Sequence, residues 1–568
     1  MPDKLSILKR YWGHTAFRPQ QEEIIDSVLQ GNDTMALLPT GGGKSLCYQL
    51  PTMMTDGLCL VVSPLIALMK DQVQQLNDRH MKAACIVSGL SRTDMAAVLA
   101  TAVSGTLKFL YVSPERLQQR MFIEHFRAMK VCLIAVDEAH CISQWGYDFR
   151  PPYLSIADLR QYHPEVPVIA LTATATPVVV QDIKQRLLMR NPRHFQSSFS
   201  RPNLGYTVVH DDNKTACLLR ILKGSDGCGI VYTRSRRSTR QMADLLNAEG
   251  ISAACYHAGL DARERDRRQA QWMQDKFRVM VATNAFGMGI DKPDVRFVVH
   301  LDVPNTIEAY FQEAGRAGRD GLPASAVLIC SAADNEHLER SFASEFPSVK
   351  YIRNVYRALC NYYKIPLGSG ADSTFDFQLD KVCDSYGFAP LDFYSACRFL
   401  ERAGLVALPE REDAYSSLFV TMGREELYRL QLSNIPLGNF IQTLMRMYPG
   451  LLGAPVPIDE RRIASRTMLE VADVRAMLFK LKAMHAAEYR PRPTKPQIVF
   501  SSPRIDERDI YLDELGFDAL KQAAHRRLDA VKAYIANDTV CRSRQLLAYF
   551  GETVVAGDCG LCDVCRKN

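Results

Sequence analysis

Residues 41–45 place three consecutive glycines before a lysine and a serine. Glycines allow backbone N–H groups to approach phosphate oxygens, Lys44 can reach the β- and γ-phosphates, and Ser45 can hold Mg²⁺. The strict pattern of a phosphate-binding loop has a further glycine where Leu38 stands, so a glycine-rich turn beside a lysine is the alternative. The segment predicts a nucleotide-phosphate site formed by Thr40, Gly41, Gly42, Gly43, Lys44 and Ser45.

Two adjacent carboxylates, Asp137 and Glu138, follow the apolar run VCLIAV. At the end of a strand, Asp137 can bind Mg²⁺ together with Ser45, and Glu138 can polarise an attacking water. The alternative is a solvated rim of the strand. Combined with the phosphate loop, the pair favours nucleotide hydrolysis.

The segment YFQEAGRAGRDG (310–321) carries two arginines, Arg316 and Arg319. We expect a helix here, which would put both on one face, where they can meet a γ-phosphate held elsewhere in the chain. Hydrolysis would then require closure of the cleft between the phosphate site and the arginines. The negative charge of the transition state is fully stabilised only when both sides of that cleft are in place. Surface arginines are the alternative interpretation.

An aromatic-rich segment, CISQWGYDFRPPY (141–153), follows the two carboxylates. Bases stack on aromatic faces for about 1 to 3 kcal/mol each without regard to sequence. The segment therefore predicts contact with single-stranded nucleic acid, or else packing into a domain interface, by Trp145, Tyr147, Phe149 and Arg150.

Near the C-terminus, Cys541 is followed by the closely spaced Cys559, Cys562 and Cys565, with a helical stretch between them. Four thiolates suit a tetrahedral Zn²⁺ ion, and closure by protein ligands alone makes such a site structural. Coincidental spacing is the alternative. The remaining cysteines are scattered singly, many in apolar runs, and are expected to be ordinary buried thiols.

Short apolar runs alternate with longer helical segments from about residue 33 to 335, which is typical of parallel sheets covered on both faces. A polar stretch at 198–206 divides them into two α/β units. The runs are 58–64, 131–138, 166–175, 228–233, 277–283 and 295–304.

After about residue 345 the pattern changes to amphipathic helices broken by short β-like runs. Residues 377–408 followed by SSLFVTM (416–422) predict helix, turn, helix and hairpin, the order of a winged helix. A second copy is expected at 458–500, its hairpin formed by the basic run 490–500. An all-helical scaffold is the alternative.

The chain has 568 residues, which implies several domains, and its 47% hydrophobic and 23% charged residues exclude a disordered protein. A net charge of +6 permits a polyanionic partner without identifying one. The N-terminus lacks a signal-peptide core and no long uncharged apolar run occurs, so we expect a cytoplasmic protein with no membrane association, associated with the nucleoid if bacterial. The expected divisions are an ATP-binding lobe at 1–205, a second lobe at 206–345, a winged-helix-like region at 346–525 and a zinc-binding subdomain at 526–568.

Segments between about residues 10 and 340 resemble, in order and spacing, the motif series of superfamily 2 helicases and, more narrowly, of the RecQ family. The family usually has glycine where Gln20 stands. Its zinc-binding subdomain usually follows the second lobe directly, whereas here a long segment intervenes. The resembling segments are FRPQQ (17–21), PTGGGKSLCYQLP (39–51), SPLIALMKDQV (63–73), DEAHCISQWGYDFRP (137–151), LTATAT (171–176), VATNAFGMGIDKP (281–293) and QEAGRAGRDG (312–321).

The resemblance implies two RecA-like lobes and roles for particular residues. Arg18 and Gln21 would read the adenine, His140 would complete the DEAH box, and Gln312 would join the two arginines as a catalytic residue. The aromatic segment would couple contact with single-stranded DNA to hydrolysis.

The implied function is an ATP-dependent DNA helicase that moves 3′ to 5′ on one strand in DNA repair or recombination, using ATP, Mg²⁺ and Zn²⁺. Its partners would be single-stranded DNA and duplex junctions. The alternatives are an ATP-gated remodelling or annealing protein that does not unwind DNA, and an RNA helicase.

Overall fold

The computed structural model describes residues 3–39, 41–87, 90, 92–287, 292–408, 416–491, 496–512, 516–552 and 557–567. These residues form two compact units. The first comprises residues 1–343 and 518–568, and the second comprises residues 344–517. The chain therefore leaves the first unit and returns to it.

Lobe 1 of the first unit is built on a seven-stranded sheet whose recorded strand pairs are all parallel. The strand order is β3-β4-β2-β5-β6-β1-β7. The strands are β1 Thr34–Leu37, β2 Leu58–Val62, β3 Ala83–Ile86, β4 Phe109–Val112, β5 Val131–Val136, β6 Val168–Thr172 and β7 Arg193–Gln196. The helices are α1 Lys4–Trp12, α2 Gln21–Leu29, α3 Leu46–Met54, α4 Ile66–Asp78, α5 Arg92–Val103, α6 Arg120–Phe126, α7 Ile156–Leu159 and α8 Pro177–Arg186.

Lobe 2 is built on a six-stranded parallel sheet of order β10-β11-β9-β12-β13-β8. Its strands are β8 Leu204–His210, β9 Cys228–Tyr232, β10 Ala253–Tyr256, β11 Val279–Ala282, β12 Val295–His300 and β13 Ala324–Cys330. Its helices are α9 Lys214–Lys223, α10 Arg236–Ala248, α11 Ala262–Met273, α12 Ile307–Ala314 and α13 Ala332–Glu345. Each predicted apolar run forms a strand, and the two parallel sheets confirm the predicted α/β fold.

The order of strands in lobe 1 brings the predicted chemistry together. Strands β5, β6 and β1 are neighbours, so their carboxyl ends meet at one edge of the sheet. The glycine-rich segment follows β1, the two carboxylates follow β5, and the LTATAT segment begins in β6. Ligands of open α/β sheets bind at this edge.

The second unit contains two three-stranded antiparallel sheets. Its helices are α14 Val349–Tyr362, α15 Leu379–Tyr386, α16 Pro390–Arg402, α17 Arg424–Ser433, α18 Ile435–Met447, α19 Glu460–Thr467 and α20 Val471–Ala483. Its strands are β14 Ser373–Asp376, β15 Val406–Ala407, β16 Ser416–Val420, β17 Val456–Ile458, β18 Ala487–Arg490 and β19 Gln497–Phe500. Helices and short sheets alternate here, as the winged-helix prediction requires.

Among the described residues, the strands of the two predicted hairpins pair with other strands, so this part of the sequence prediction was wrong. Strand β15 pairs with β19, and β16 pairs with β17 and β18, so that the sheets have the orders β14-β19-β15 and β17-β16-β18. Residues 409–415 and 492–495, which include part of the predicted basic hairpin, lie outside the described residues. A whole module, from β16 to β18, is thus inserted between the two paired strands β15 and β19.

Side-chain packing explains the choice of partners. In β16, Leu418 and Val420 face the core formed by Ile441, Leu478 and other residues of the inserted module. The rest of the second unit, residues 344–408 and 496–517, is called the outer module here. In β19, Phe500 packs edge-on against Tyr363 and Phe375 of this outer module. The alternating pattern of a strand fixes which residues face inward but not which core they enter.

The C-terminal segment, residues 518–567, packs on lobe 2. Its helices are α21 Phe517–Ala536, which begins at the last residue of the second unit, α22 Arg542–Tyr549 and α23 Asp563–Lys567. The rings of Tyr534 and Phe550 join the core of lobe 2, with centroids 5.3 Å from Tyr310 and 4.9 Å from Phe311. The tertiary structure therefore brings the cysteine-bearing segment next to lobe 2 although a long insertion separates them in sequence.

Candidate functional site

The glycine-rich loop precedes α3, so backbone N–H groups at a helix N-terminus border the predicted phosphate site. Gly41 and Gly43 have φ angles of 79° and 76°, and a Cβ on Gly43 would collide with the amide of Gln21. Both Lys44 and Ser45 are half-buried at the start of the helix. Thr40 lies outside the described residues.

Arg18 and Gln21 contact the same loop. A guanidinium N–H of Arg18 donates to the carbonyl of Gly41. Nε2 of Gln21 donates to the carbonyls of Gly42 at 3.3 Å and Gly43 at 3.2 Å. The two residues predicted to read the adenine therefore lie beside the predicted phosphate loop.

Gln20 stands in the left-handed region, with φ of 64°, which explains why glycine suits this position. Two hydrogen bonds hold it there. Nε2 donates to the carbonyl of Gln196 at 3.0 Å, and Oε1 accepts from the hydroxyl of Ser197 at 3.0 Å. The turn is preserved because side-chain bonds offset the backbone strain.

Asp137 and Glu138 directly follow β5, near Lys44 of the glycine-rich loop. Glu138 has a φ of 46°. Burial and the carboxylate of Glu138 raise the pKa of Asp137, while the ammonium of Lys44 opposes them. Oε2 of Glu138 is buried without a hydrogen-bond partner in the described structure. Crowded carboxylates with an unsatisfied oxygen fit a site that receives a cation such as Mg²⁺.

The prediction of one helix carrying both Arg316 and Arg319 was wrong. Helix α12 ends at Ala314, because residues 315–320 form turns, so Arg316 and Arg319 do not share a helix face. Arg316 is only 3% exposed, and its charge acts on the phenol of Tyr232. Arg319 reaches lobe 1, where a Cβ placed on Gly41 would lie 3.5 Å from its Cγ. Both guanidiniums act on the phenol of Tyr232, and the side chain of Arg319 also lies beside the phosphate loop.

Tyr147 connects the carboxylate site to lobe 2. Its ring stacks on His140 with centroids 5.0 Å apart. Its hydroxyl donates to Oε1 of Gln312 at 3.1 Å. His140 Nδ1 lies 2.9 Å from the hydroxyl of Thr172 and 3.4 Å from a carboxylate oxygen of Glu138. The segment therefore forms a continuous chain of contacts from the DEAH residues to α12.

The other members of the aromatic segment are half-buried. Trp145 packs partly against the core shared by the two lobes. Arg150 donates to the carbonyl of Pro64 at 3.2 Å and pairs with Asp148 at 3.3 Å. Phe149 is half-buried as well. All three aromatic side chains are thus partly buried, as the packing interpretation expects, and their contact with DNA stays a prediction.

The four C-terminal cysteines converge, with all four Sγ atoms within 4.8 Å of one another. The Sγ atoms of Cys559 and Cys565 lie 3.9 Å apart, and a tetrahedral site with Zn–S bonds of 2.3 Å has S···S edges of about 3.8 Å. Backbone N–H groups of Cys562 and Cys565 donate to the preceding cysteine sulfurs at 3.4 Å. N–H donors stabilise thiolates, so these residues fit a structural Zn²⁺ ion.

Three contributors were assigned no role from the sequence, although Thr172 and Tyr153 lie within the LTATAT and aromatic segments. Thr172 binds His140, and the hydroxyl of Tyr153 donates to the carbonyl of Asp137 at 3.0 Å. Arg527, on α21, donates to the carbonyl of Trp145 at 2.7 Å. The contact of Arg527 joins segments 382 residues apart, which no local pattern predicts.

Comparison with protein families matches consecutive parts of the chain. The DEAD/DEAH box helicase model matches residues 18–183, and the helicase conserved C-terminal domain matches residues 213–321. A RecQ helicase winged-helix domain of Bacteroidota matches residues 418–491, which is the inserted module, and the RecQ zinc-binding model matches residues 511–566.

Individual relatives agree. The ATP-dependent DNA helicase RecQ of Haemophilus influenzae is 46% identical over 340 residues, covering 60% of this chain and 55% of the relative. The probable ATP-dependent DNA helicase RecS of Bacillus subtilis is 42% identical over 357 residues, covering 62% of this chain and 72% of the relative. The chain belongs to the RecQ family of DNA helicases.

The match to the Haemophilus relative spans about half of that protein's length, 55%. Among solved structures, the DUF1998 helicase MrfA bound to DNA and AMPPNP superposes with a TM-score of 0.51 at 19% identity, covering 60% of this chain and 52% of that one. At this identity the likeness concerns the fold, and it matches the two RecA-like lobes expected of a RecQ-family chain. Among the described residues, no helix combines the length and apolar character needed to cross a membrane.

Proposed function

We propose that this chain is an ATP-dependent DNA helicase that moves 3′ to 5′ along one strand and acts in DNA repair or recombination. The observation that carries the proposal is the contact chain from Glu138 and His140 through Tyr147 to Gln312. It links the predicted hydrolysis site of lobe 1, a segment rich in base-stacking side chains, and lobe 2. The relatives named as ATP-dependent DNA helicases support the same activity.

The phosphate loop and its neighbours would bind the nucleotide. Backbone N–H groups at the start of α3 and the ammonium of Lys44 would hold the phosphates, and Arg18 and Gln21 would stay beside them. Mg²⁺, held by Ser45 and Asp137, would neutralise phosphate charge when bound. Glu138 would orient the attacking water, and Arg319 would meet the charge that develops on the transferred phosphate.

Movement would follow from the two lobes. Arg319 completes the site only when lobe 2 lies against the phosphate loop, so binding and release of nucleotide would close and open the cleft. Bases of a single strand would stack on Trp145, Tyr147 and Phe149, whose side chains are only partly buried. Alternating grips by the segments 63–73 and 281–291 would turn each closure into a step; residues 288–291 lie outside the described residues.

The test is a strand-separation assay on a duplex with a 3′ single-stranded tail, beside the same duplex with a 5′ tail. We expect ATP-dependent separation of the 3′-tailed duplex alone, and no separation with a non-hydrolysable ATP analogue. ATPase rates measured in parallel with single-stranded DNA, duplex DNA and RNA identify the activating polymer. ATPase activity stimulated by DNA without separation would instead support a remodelling protein, and stimulation by RNA alone would support an RNA helicase.

A further inference from the structure

The long helix α21 of the C-terminal segment reaches the aromatic segment of lobe 1. A guanidinium N–H of Arg527 donates to the backbone carbonyl of Trp145 at 2.7 Å, across a separation of 382 residues. A bond from a charged donor is stronger than one between neutral groups. The backbone of the aromatic segment is therefore tied to a helix that belongs to neither parallel sheet.

Helix α21 is itself fixed on lobe 2. Leu528 and Val531, on the turn after Arg527, are buried in the core of the first unit. Lys532 forms an ion pair with Glu339 at 2.5 Å, and Tyr534 packs on Tyr310. Arg527 is consequently a donor whose position is set by lobe 2, while its acceptor lies in lobe 1.

A buried carboxylate lies in the same region. Glu308, at the start of α12, is 3% exposed, and its Oε1 accepts from the hydroxyl of Tyr549 at 2.8 Å. Burial raises the pKa of Tyr549, Glu308 raises it further, and the charge of Arg527 opposes both. The guanidinium of Arg527 therefore lies close enough to Tyr549 to act on its phenol. Tyr549 is thus a second neighbour of Arg527, besides the carbonyl of Trp145.

We propose that Arg527 is a positioning residue that sets the backbone of the aromatic segment, so that contact of Trp145 with DNA bases is transmitted to the hydrolysis site. The inference rests on the proposed function. Trp145 precedes Tyr147 by two residues, and Tyr147 makes the contacts with His140 and Gln312. Fixing the carbonyl of Trp145 restricts the backbone between these two rings, and without the bond their movements become independent.

The test compares Arg527→Gln, Arg527→Lys and the control Arg526→Gln in the full chain. Arg526 is the adjacent, exposed arginine of α21, and its side chain has no recorded hydrogen bond or ion pair with the described residues. We expect Arg527→Gln to lower the ratio of DNA-stimulated to basal ATPase about tenfold, with basal activity and melting temperature nearly unchanged. Arg527→Lys, which keeps a charged donor, should recover part of the ratio, and Arg526→Gln should match the wild type.

Hydrogen exchange of the peptide 141–153, measured without DNA, reads the positioning directly. We expect faster exchange in Arg527→Gln and not in Arg526→Gln. Unchanged exchange would overturn the positioning role, and faster exchange with an unchanged stimulation ratio would overturn the coupling. A wild-type chain without any DNA stimulation would refute the proposed function, while the exchange comparison would still decide whether Arg527 positions the segment.

Discussion

Tyr147 and Gln312 are joined by a hydrogen bond of 3.1 Å between the segment that follows the DEAH residues and the helix α12 of lobe 2. The bond spans 165 residues of sequence. Tyr147 also stacks on His140. Displacement of its ring by a bound base would therefore change a contact in lobe 1 and a contact in lobe 2 together.

Removing this bond tests that relationship. Tyr147→Phe keeps the ring on His140 and deletes only the hydroxyl, and Gln312→Ala deletes the acceptor. A single hydrogen bond contributes about 1 kcal/mol, so each variant should lower DNA-stimulated kcat by roughly fivefold. In a double-mutant cycle of stimulated ATPase rates, the combined variant should lose no more than the larger single effect. Additive losses would mean that the two side chains act separately.

Lys44→Ala should lower ATP hydrolysis by about a hundredfold or more while leaving the fold intact, because the ammonium neutralises phosphate charge and packs no core. The measurements are steady-state ATPase activity and the melting temperature. Lys82→Ala, at an exposed lysine of the same lobe, is the control and should leave both unchanged. Wild-type turnover in Lys44→Ala would remove the basis for the phosphate site.

The two arginines should behave differently, because Arg319 lies beside Gly41 of the phosphate loop, whereas Arg316 is buried beside Tyr232. Arg319→Ala should lower kcat by about a thousandfold with a smaller change in KM, as for an arginine that acts on the transition state. Arg316→Ala removes a buried cation beside Tyr232 and should also lower the melting temperature. Arg237→Ala, at an exposed arginine of lobe 2, controls for loss of charge. Equal losses in kcat and affinity for Arg319→Ala would assign it to ground-state binding.

Loss of zinc should lower the DNA-stimulated ATPase activity of the two lobes. Binding of Zn²⁺ supplies about 10 kcal/mol or more of folding free energy to small sites, and here the site holds the segment whose Phe550 packs on Phe311. Cys562→Ser should release the metal, increase protease cleavage after residue 518 and lower DNA-stimulated ATPase. Elemental analysis and limited proteolysis measure this, with Cys85→Ser, outside the cluster, as control. A purified wild-type chain that contains no zinc and is unaffected by chelator would refute the site.

The inserted module should be removable. Ala407 in β15 lies opposite Val499 in β19, so a short glycine-containing turn can replace residues 409–495. We expect the shortened chain to keep basal ATPase activity and to melt cooperatively. A matched deletion of residues 409–500 also removes β19, and with it Phe500, and should unfold the outer module. Unfolding in both deletions would indicate that the outer module depends on the inserted module for its stability, and would contradict this prediction.

The sequence by itself determined the features that depend on neighbouring residues. Continuous apolar runs such as 131–136 form buried parallel strands because both faces of the sheet are covered, and the glycines at 41 and 43 allow the loop conformation that a side chain would obstruct. The cysteine spacing also predicted a cluster that the structure forms, since short loops between Cys559, Cys562 and Cys565 keep their sulfurs together.

The tertiary structure decided whatever depends on a choice of distant partner. It paired β15 with β19 across the inserted module, ended α12 before Arg316, and placed Arg527 on the carbonyl of Trp145. Local patterns set the direction of a side chain but carry no information on which of several complementary surfaces it meets. That choice depends on packing and on buried hydrogen bonds summed over the whole unit, and only the folded chain brings those together.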